Sequence, residues 1–188
     1  MRNVIFLDNH DMARFYSVVG KDMDKYKTAI NWLLTCRGIP QFYYGGEIGM
    51  TGTTSPNDGY VRKDFLGGWK EDKVNKFSAA GRSAKENEIW NHISILANYR
   101  KKSSAITSGK MMQFVPQDGL YVYFRYDVKQ TVMVVMNTSK SEKTVSFADY
   151  AERTKGFSQY LNVLTKEKAT TKDLTLGIYK SGVIELLK

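Results

Sequence analysis

Four apolar residues, Val4-Ile5-Phe6-Leu7, run straight into four polar ones, Asp8-Asn9-His10-Asp11. An apolar run this short, so sharply bounded, fits a buried strand over residues 3–8. Its far end cannot be buried in the same way, because carboxylates and an imidazole taken out of water without partners are strongly destabilised. A fold accommodates such an end at the carboxyl edge of a parallel strand, where α/β barrels and sheets carry their reactive groups. The rest of the chain is constrained by the need to build that edge.

Downstream, Met23, Tyr26, Ile30, Leu33 and Leu34 recur on one face of a helix predicted from about Lys21 to Arg37. Gly38 fits its stop, and Pro40 blocks continuation. Ile39–Tyr44 reads as a second buried strand with proline at its start, so 3–44 forms a strand–helix–strand unit of the right-handed parallel kind. Residues 45–75 carry Gly45, Gly46, Gly49, Gly52, Gly59, Gly67 and Gly68 and read as a long loop. Loops of this length in compact domains usually serve function. Tyr60, Phe65 and Trp69 either line a cleft there or anchor the loop to the body. Ser83 and Glu86 match a capping box, and Ile89, Ile93 and Leu96 follow at helical spacing, predicting a helix over 84–102.

After Ser103-Ser104 the period changes. Seven short strand-like runs, from Lys110–Val115 to Val183–Leu187, are separated by turns such as Pro116-Gln117-Asp118-Gly119 and Lys180-Ser181-Gly182. This pattern predicts an antiparallel sandwich. The expected fold is α+β: a partial (β/α) barrel segment of two β/α units in residues 1–103, then an antiparallel β-sandwich in 104–188.

The net charge of +9 raises nucleic acid as a partner, but the lysines are spread along the whole chain. The densest run, Arg100-Lys101-Lys102, falls at a helix end, where cations complement the dipole. No apolar run approaches the roughly 18 residues of a membrane helix. Neither nucleic acid nor membrane is therefore expected as a partner. Cys36 is the one cysteine and sits in the first helix as a small apolar side chain. His10 and His92 are the two histidines, too few for a metal-phosphohydrolase ligand set.

Phe6-Leu7-Asp8-Asn9-His10-Asp11 resembles the late active-site motif of the α-amylase family of glycoside hydrolases, which lies at the end of the seventh barrel strand. Gly38-Ile39-Pro40-Gln41-Phe42-Tyr43-Tyr44-Gly45-Gly46-Glu47-Ile48-Gly49-Met50 is similar to the family's eighth-strand motif, in the same order and spacing. Arg62-Lys63-Asp64-Phe65-Leu66-Gly67-Gly68-Trp69 resembles a loop of the neopullulanase and cyclomaltodextrinase members. The resemblance covers the whole chain and implies a carboxyl-terminal portion: the last two barrel strands, the eighth helix and the sandwich.

By this resemblance Asp11 is the transition-state-stabilising carboxylate. His10 and Asn9 bind the sugar, Glu47 supports the site, and Arg62 and Trp69 belong to the substrate-side loop. The substrate implied is an α-glucan oligosaccharide: a maltooligosaccharide, cyclodextrin or pullulan. A glycosidic bond breaks through an oxocarbenium-like state that a fixed carboxylate stabilises, and retaining enzymes place a nucleophile and an acid roughly 5–5.5 Å apart. The family's Gly-x-Arg-x-Asp nucleophile context and its later acid glutamate are not found in this sequence. The chain alone is therefore expected to be inactive. The alternative is a non-catalytic carbohydrate-binding or structural sandwich. No calcium or other cofactor is expected, since no loop has the oxygen-ligand density calcium needs. Two parallel strands leave open edges, which predicts dimerisation, strand exchange or compaction around the sandwich. The compartment is unread.

Overall fold

The computed structural model describes residues 3–188. The chain divides into two compact units, one of residues up to Tyr26 with Gly38–Ser94, the other of Lys27–Arg37 with Ile95–Lys188.

In the first unit β1 (Val4–Ile5) leads to α1 (Phe15–Val18) and to the start of α2 (Met23–Thr35). The chain returns as β2 (Ile39–Pro40), parallel to β1 with Val4 opposite Ile39 and Ile5 opposite Pro40. Asp22 caps α2: its Oδ1 accepts the N–H groups of Asp24 and Lys25 at 3.0 Å each. The helix stops before Gly38, whose φ of +142° favours glycine and whose Cβ, if present, would lie 3.0 Å from the Asn3 carbonyl oxygen.

The fully buried strands expected over 3–8 and 39–44 are two residues each, and Val4 and Ile39 are about half exposed. Among the described residues, β1 and β2 pair only with each other. Each strand is thus paired along one edge, and the ladder ends before Phe6 in the first run and at Gln41 in the second.

The loop beyond β2 is ordered by local bonds and contains 3₁₀ turns at Gly46–Ile48, Asp58–Tyr60 and Ala79–Gly81. The rings of Phe65 and Phe77 pack at 4.6 Å, joining two stretches of the same loop. Asp72 Oδ2 accepts the N–H groups of Gly67 at 2.6 Å and Trp69 at 3.1 Å. The loop ends at α3 (Ala84–Lys102). Its capping box is reciprocal: Ser83 N–H donates to Glu86 Oε2 at 2.7 Å and Glu86 N–H to Ser83 Oγ at 3.3 Å.

In the second unit α4 (Ser104–Thr107) precedes eight strands: β3 (Lys110–Gln113), β4 (Leu120–Tyr126), β5 (Thr131–Asn137), β6 (Lys143–Ser146), then α5 (Ala151–Thr154), β7 (Gln159–Asn162), β8 (Lys168–Thr170), β9 (Asp173–Leu176) and β10 (Ser181–Leu187). A six-stranded sheet in the order β3-β4-β5-β10-β7-β8 faces the β6-β9 pair. The space between them is filled by Val122, Phe124, Met133, Val135, Val145, Phe147, Leu176, Ile184 and Leu186. This is a sandwich core built by alternate residues of facing strands.

All seven residues of β5 are buried, against the alternation a one-sided sheet would show. The reason lies on the other face of the sheet. There Tyr123 Oη meets Thr35 Oγ1 at 2.5 Å, and Arg125 Nη1 donates to the Thr35 carbonyl at 3.0 Å. Thr28 Oγ1 donates to the Tyr179 carbonyl at 2.6 Å, and Asn31 Nδ2 to Ser181 Oγ at 2.8 Å. The polar side of the helical segment 27–35 thus packs on the sheet through satisfied hydrogen bonds.

Candidate active site

The first unit holds the strand end. Asn9 Oδ1 accepts the Asp11 N–H at 2.8 Å, folding the four polar residues into a tight turn. The turn sends Asp8 inward and leaves His10 and Asp11 exposed. Asp8 Oδ2 accepts the Phe15 N–H at 2.8 Å, satisfying a free donor at the start of α1. Burial raises the Asp8 carboxyl above its ordinary range, opposed by that N–H and by the nearby Arg14 charge. Asp8 is a structural residue.

Outside the turn three side chains converge. His10 Nε2 lies 3.1 Å from Asp11 Oδ2. Arg62 Nη2 donates to Asp11 Oδ1 at 3.1 Å and to Asp58 Oδ2 at 3.0 Å, while Arg62 Nε donates to the His10 carbonyl at 3.0 Å. Both Asp11 oxygens therefore have partners, which fixes the plane of the carboxylate. Asp58 sits in the Asp58–Tyr60 turn, which Asn57 caps by accepting the Gly59 N–H at 2.9 Å.

The sequence-predicted residues thus fall into two groups. His10, Asp11 and Arg62 are brought together, on a turn that Asn9 shapes through its side-chain oxygen. Glu47 lies half-buried in the Gly46–Ile48 turn, and Trp69 projects with 65% of its surface exposed. Among the described residues, no hydrogen bond, ion pair or ring contact joins Glu47 or Trp69 to the Asp11 cluster. Also among the described residues, no group of three or more His, Cys, Asp or Glu side chains is placed to hold a metal ion.

Two residues of the site are not apparent from sequence. Asp58 shares Arg62 with Asp11. Arg14 is 1% exposed, with its guanidinium 4.0 Å from the Tyr43 ring centroid and 4.6 Å from that of Tyr44. A charged residue between Ala13 and Phe15, in a stretch that reads as loop, was the one available hint of it.

Comparison with known proteins defines the class. Residues 1–82 match the family described as the alpha amylase catalytic domain, and residues 111–185 match the cyclo-malto-dextrinase C-terminal domain. Alpha-amylase 3 of Dictyoglomus thermophilum is 28% identical over 201 residues, covering 98% of this chain and 38% of that protein. The cyclomaltodextrinase of Geobacillus thermopakistaniensis is 32% identical over 174 residues, covering 92% of this chain and 26% of that protein. The fold is that of the crystal structure of the Geobacillus thermoleovorans α-amylase complexed with acarbose. That structure has a TM-score of 0.74 and 22% identity, over 98% of this chain and 39% of that one. These matches define a segment of the alpha amylase catalytic domain followed by a cyclo-malto-dextrinase C-terminal domain. The chain belongs to the α-amylase family, in the branch that includes the cyclomaltodextrinases. It spans between about a quarter and two fifths of the length of these relatives.

Proposed function

We propose that the strand end at Asp11 forms one side of the glycan-cleaving site of a retaining hydrolase acting on α-glucan oligosaccharides. The observation that carries this reading is the exposed Asp11 carboxylate, held at both oxygens by His10 and Arg62 in the turn that follows the parallel strand β1. Cleavage develops positive charge at the anomeric carbon and ring oxygen, and a carboxylate fixed before the reaction stabilises that charge without reorganising. His10 hydrogen-bonds a sugar hydroxyl in the cleaved subsite through its other ring nitrogen, a bond that strengthens as the ring flattens. Asn9 supports the turn and Glu47 the neighbouring strand end. Trp69 offers an exposed indole face for a further sugar ring. The nucleophile and the general acid are supplied from outside residues 1–188.

A second reading gives the sandwich its own glycan contact. It is favoured by a groove of about 460 Å³ in the second unit, lined by Phe114, Leu120 and Tyr150 with Gln117, Asp118 and Lys143 among the polar groups.

The test uses the full chain with maltotriose to maltoheptaose, scoring released reducing ends and heat of binding. The expected result is millimolar binding without turnover, with binding lost in Asp11→Ala. Turnover at enzyme-like rates, on the order of 1 s⁻¹ or more, would overturn the incomplete site. Undiminished binding in Asp11→Ala would move the glycan to the sandwich groove, and no binding at all would sink both readings.

A further inference from the structure

Arg62 reaches Asp11 from the end of a loop, and an exposed loop residue does not hold an ion pair by itself. The loop is Gly52–Val61, and its two ends meet. Gly52 packs so closely on the other end that a Cβ there would lie 2.2 Å from the Tyr60 carbonyl oxygen. Only glycine permits this approach. The Gly52 N–H donates to Ser17 Oγ at 3.0 Å, and the Gly52 carbonyl accepts the Arg14 N–H at 3.0 Å. At the other end Arg14 Nε donates to the Val61 carbonyl at 2.9 Å, and Val61 is fully buried. Arg14 also donates through Nη1 to the Tyr44 carbonyl, and its guanidinium lies over the Tyr43 and Tyr44 rings. One buried residue therefore touches both ends of the loop and the segment after β2. Its Nη2 has no protein partner, which costs stability. An apolar side chain would avoid that cost and keep the backbone bond to Gly52, but it would lose the bonds to the Val61 and Tyr44 carbonyls, and with them the hold on the far end of the loop.

We infer that Arg14 is the positioning residue of this site: it closes the neck of the Gly52–Val61 loop and so delivers the next residue, Arg62, to Asp11. Lysine cannot replace it, since an ammonium lacks the planar fork that reaches the Val61 and Tyr44 carbonyls through separate nitrogens while its carbon lies over the tyrosine rings. The inference supplies the proposed glycan site with its support. Its test is read without ligand, so its failure and that of the glycan reading are distinguishable.

The measurement is ¹⁵N relaxation of Arg62 Nε in the full chain. In the wild type the Arg62 Nε order parameter is expected above the flexible range, that is above about 0.6. In Arg14→Lys and Arg14→Met it is expected to fall below about 0.6. The His10 and Asp11 amide signals should move in the direction produced by Arg62→Met, with no further change in the Arg14→Met/Arg62→Met double variant. Gly52→Ala, which opens the neck without altering Arg14, should give the same pattern. A role confined to stability would lower the melting temperature and leave Arg62 ordered. An Arg62 order parameter unchanged in any of these variants that folds overturns the inference. So does a wild-type Arg62 already below about 0.6, which needs no variant.

Discussion

Asp11 and Asp58 share a single nitrogen of Arg62, Nη2, at 3.1 and 3.0 Å. The three side chains are about half exposed, so water and salt screen the pairs and their net contribution to folding is small, about 0–1 kcal/mol. What the arrangement supplies is orientation. Arg62→Met is accordingly expected to change stability by less than about 1 kcal/mol in urea titration, while weakening maltoheptaose binding several-fold. A large stability loss would mean that Arg62 is structural.

Arg125 behaves differently because it is buried. It donates to the carbonyls of Thr35 at 3.0 Å and Gly109 at 3.1 Å, and burial lowers the affinity of its guanidinium for the proton. Arg125→Met would strip a buried carbonyl and a part-buried one of charged donors. A loss of roughly 2–4 kcal/mol is expected in chemical denaturation. A loss under about 0.5 kcal/mol would show that water replaces both bonds.

The start of α3 carries a pH signature. Burial raises the Glu86 carboxyl, but Lys76 Nζ at 2.6 Å and the Ser83 N–H outweigh it, so its value in the folded chain lies below the ordinary 4.5. A carboxyl depressed by folding stabilises the fold above its unfolded value and loses that contribution as pH falls through the folded one. Wild type should therefore exceed Glu86→Gln in stability by on the order of 1 kcal/mol at neutral pH. The gap should close on acidification below 4.5. A gap constant down to strong acid would contradict the assignment.

Much of the fold was legible because burial and periodicity coincide. The α2 stripe and the Ser83–Glu86 box predict helices within about two residues of those observed. β4, β5 and β10 stand out as apolar runs between turns. β8 did not, because Lys168–Thr170 is an exposed strand at the sheet edge with no alternation to detect. At the candidate site, the turn motif placed His10 beside Asp11, and the loop motif supplied Arg62. Arg14 and Asp58 stayed hidden for opposite reasons. A buried arginine looks like any surface charge in a sequence, and Asp58 acquires its role only through a loop closure that no local pattern encodes.

The turn that carries His10 and Asp11 is where an α-glucan is expected to bind. His10 and His92 are the two histidines, and His92 lies within α3, so each imidazole can be followed separately by ¹H–¹³C NMR while acarbose is added to about 10 mM. The expected result is a saturable shift of the His10 ring and of the Asp11 amide, with His92 unmoved and the response abolished in Asp11→Ala. An unmoved His10 at saturating acarbose, with resonances of the sandwich shifting instead, would contradict glycan binding at Asp11.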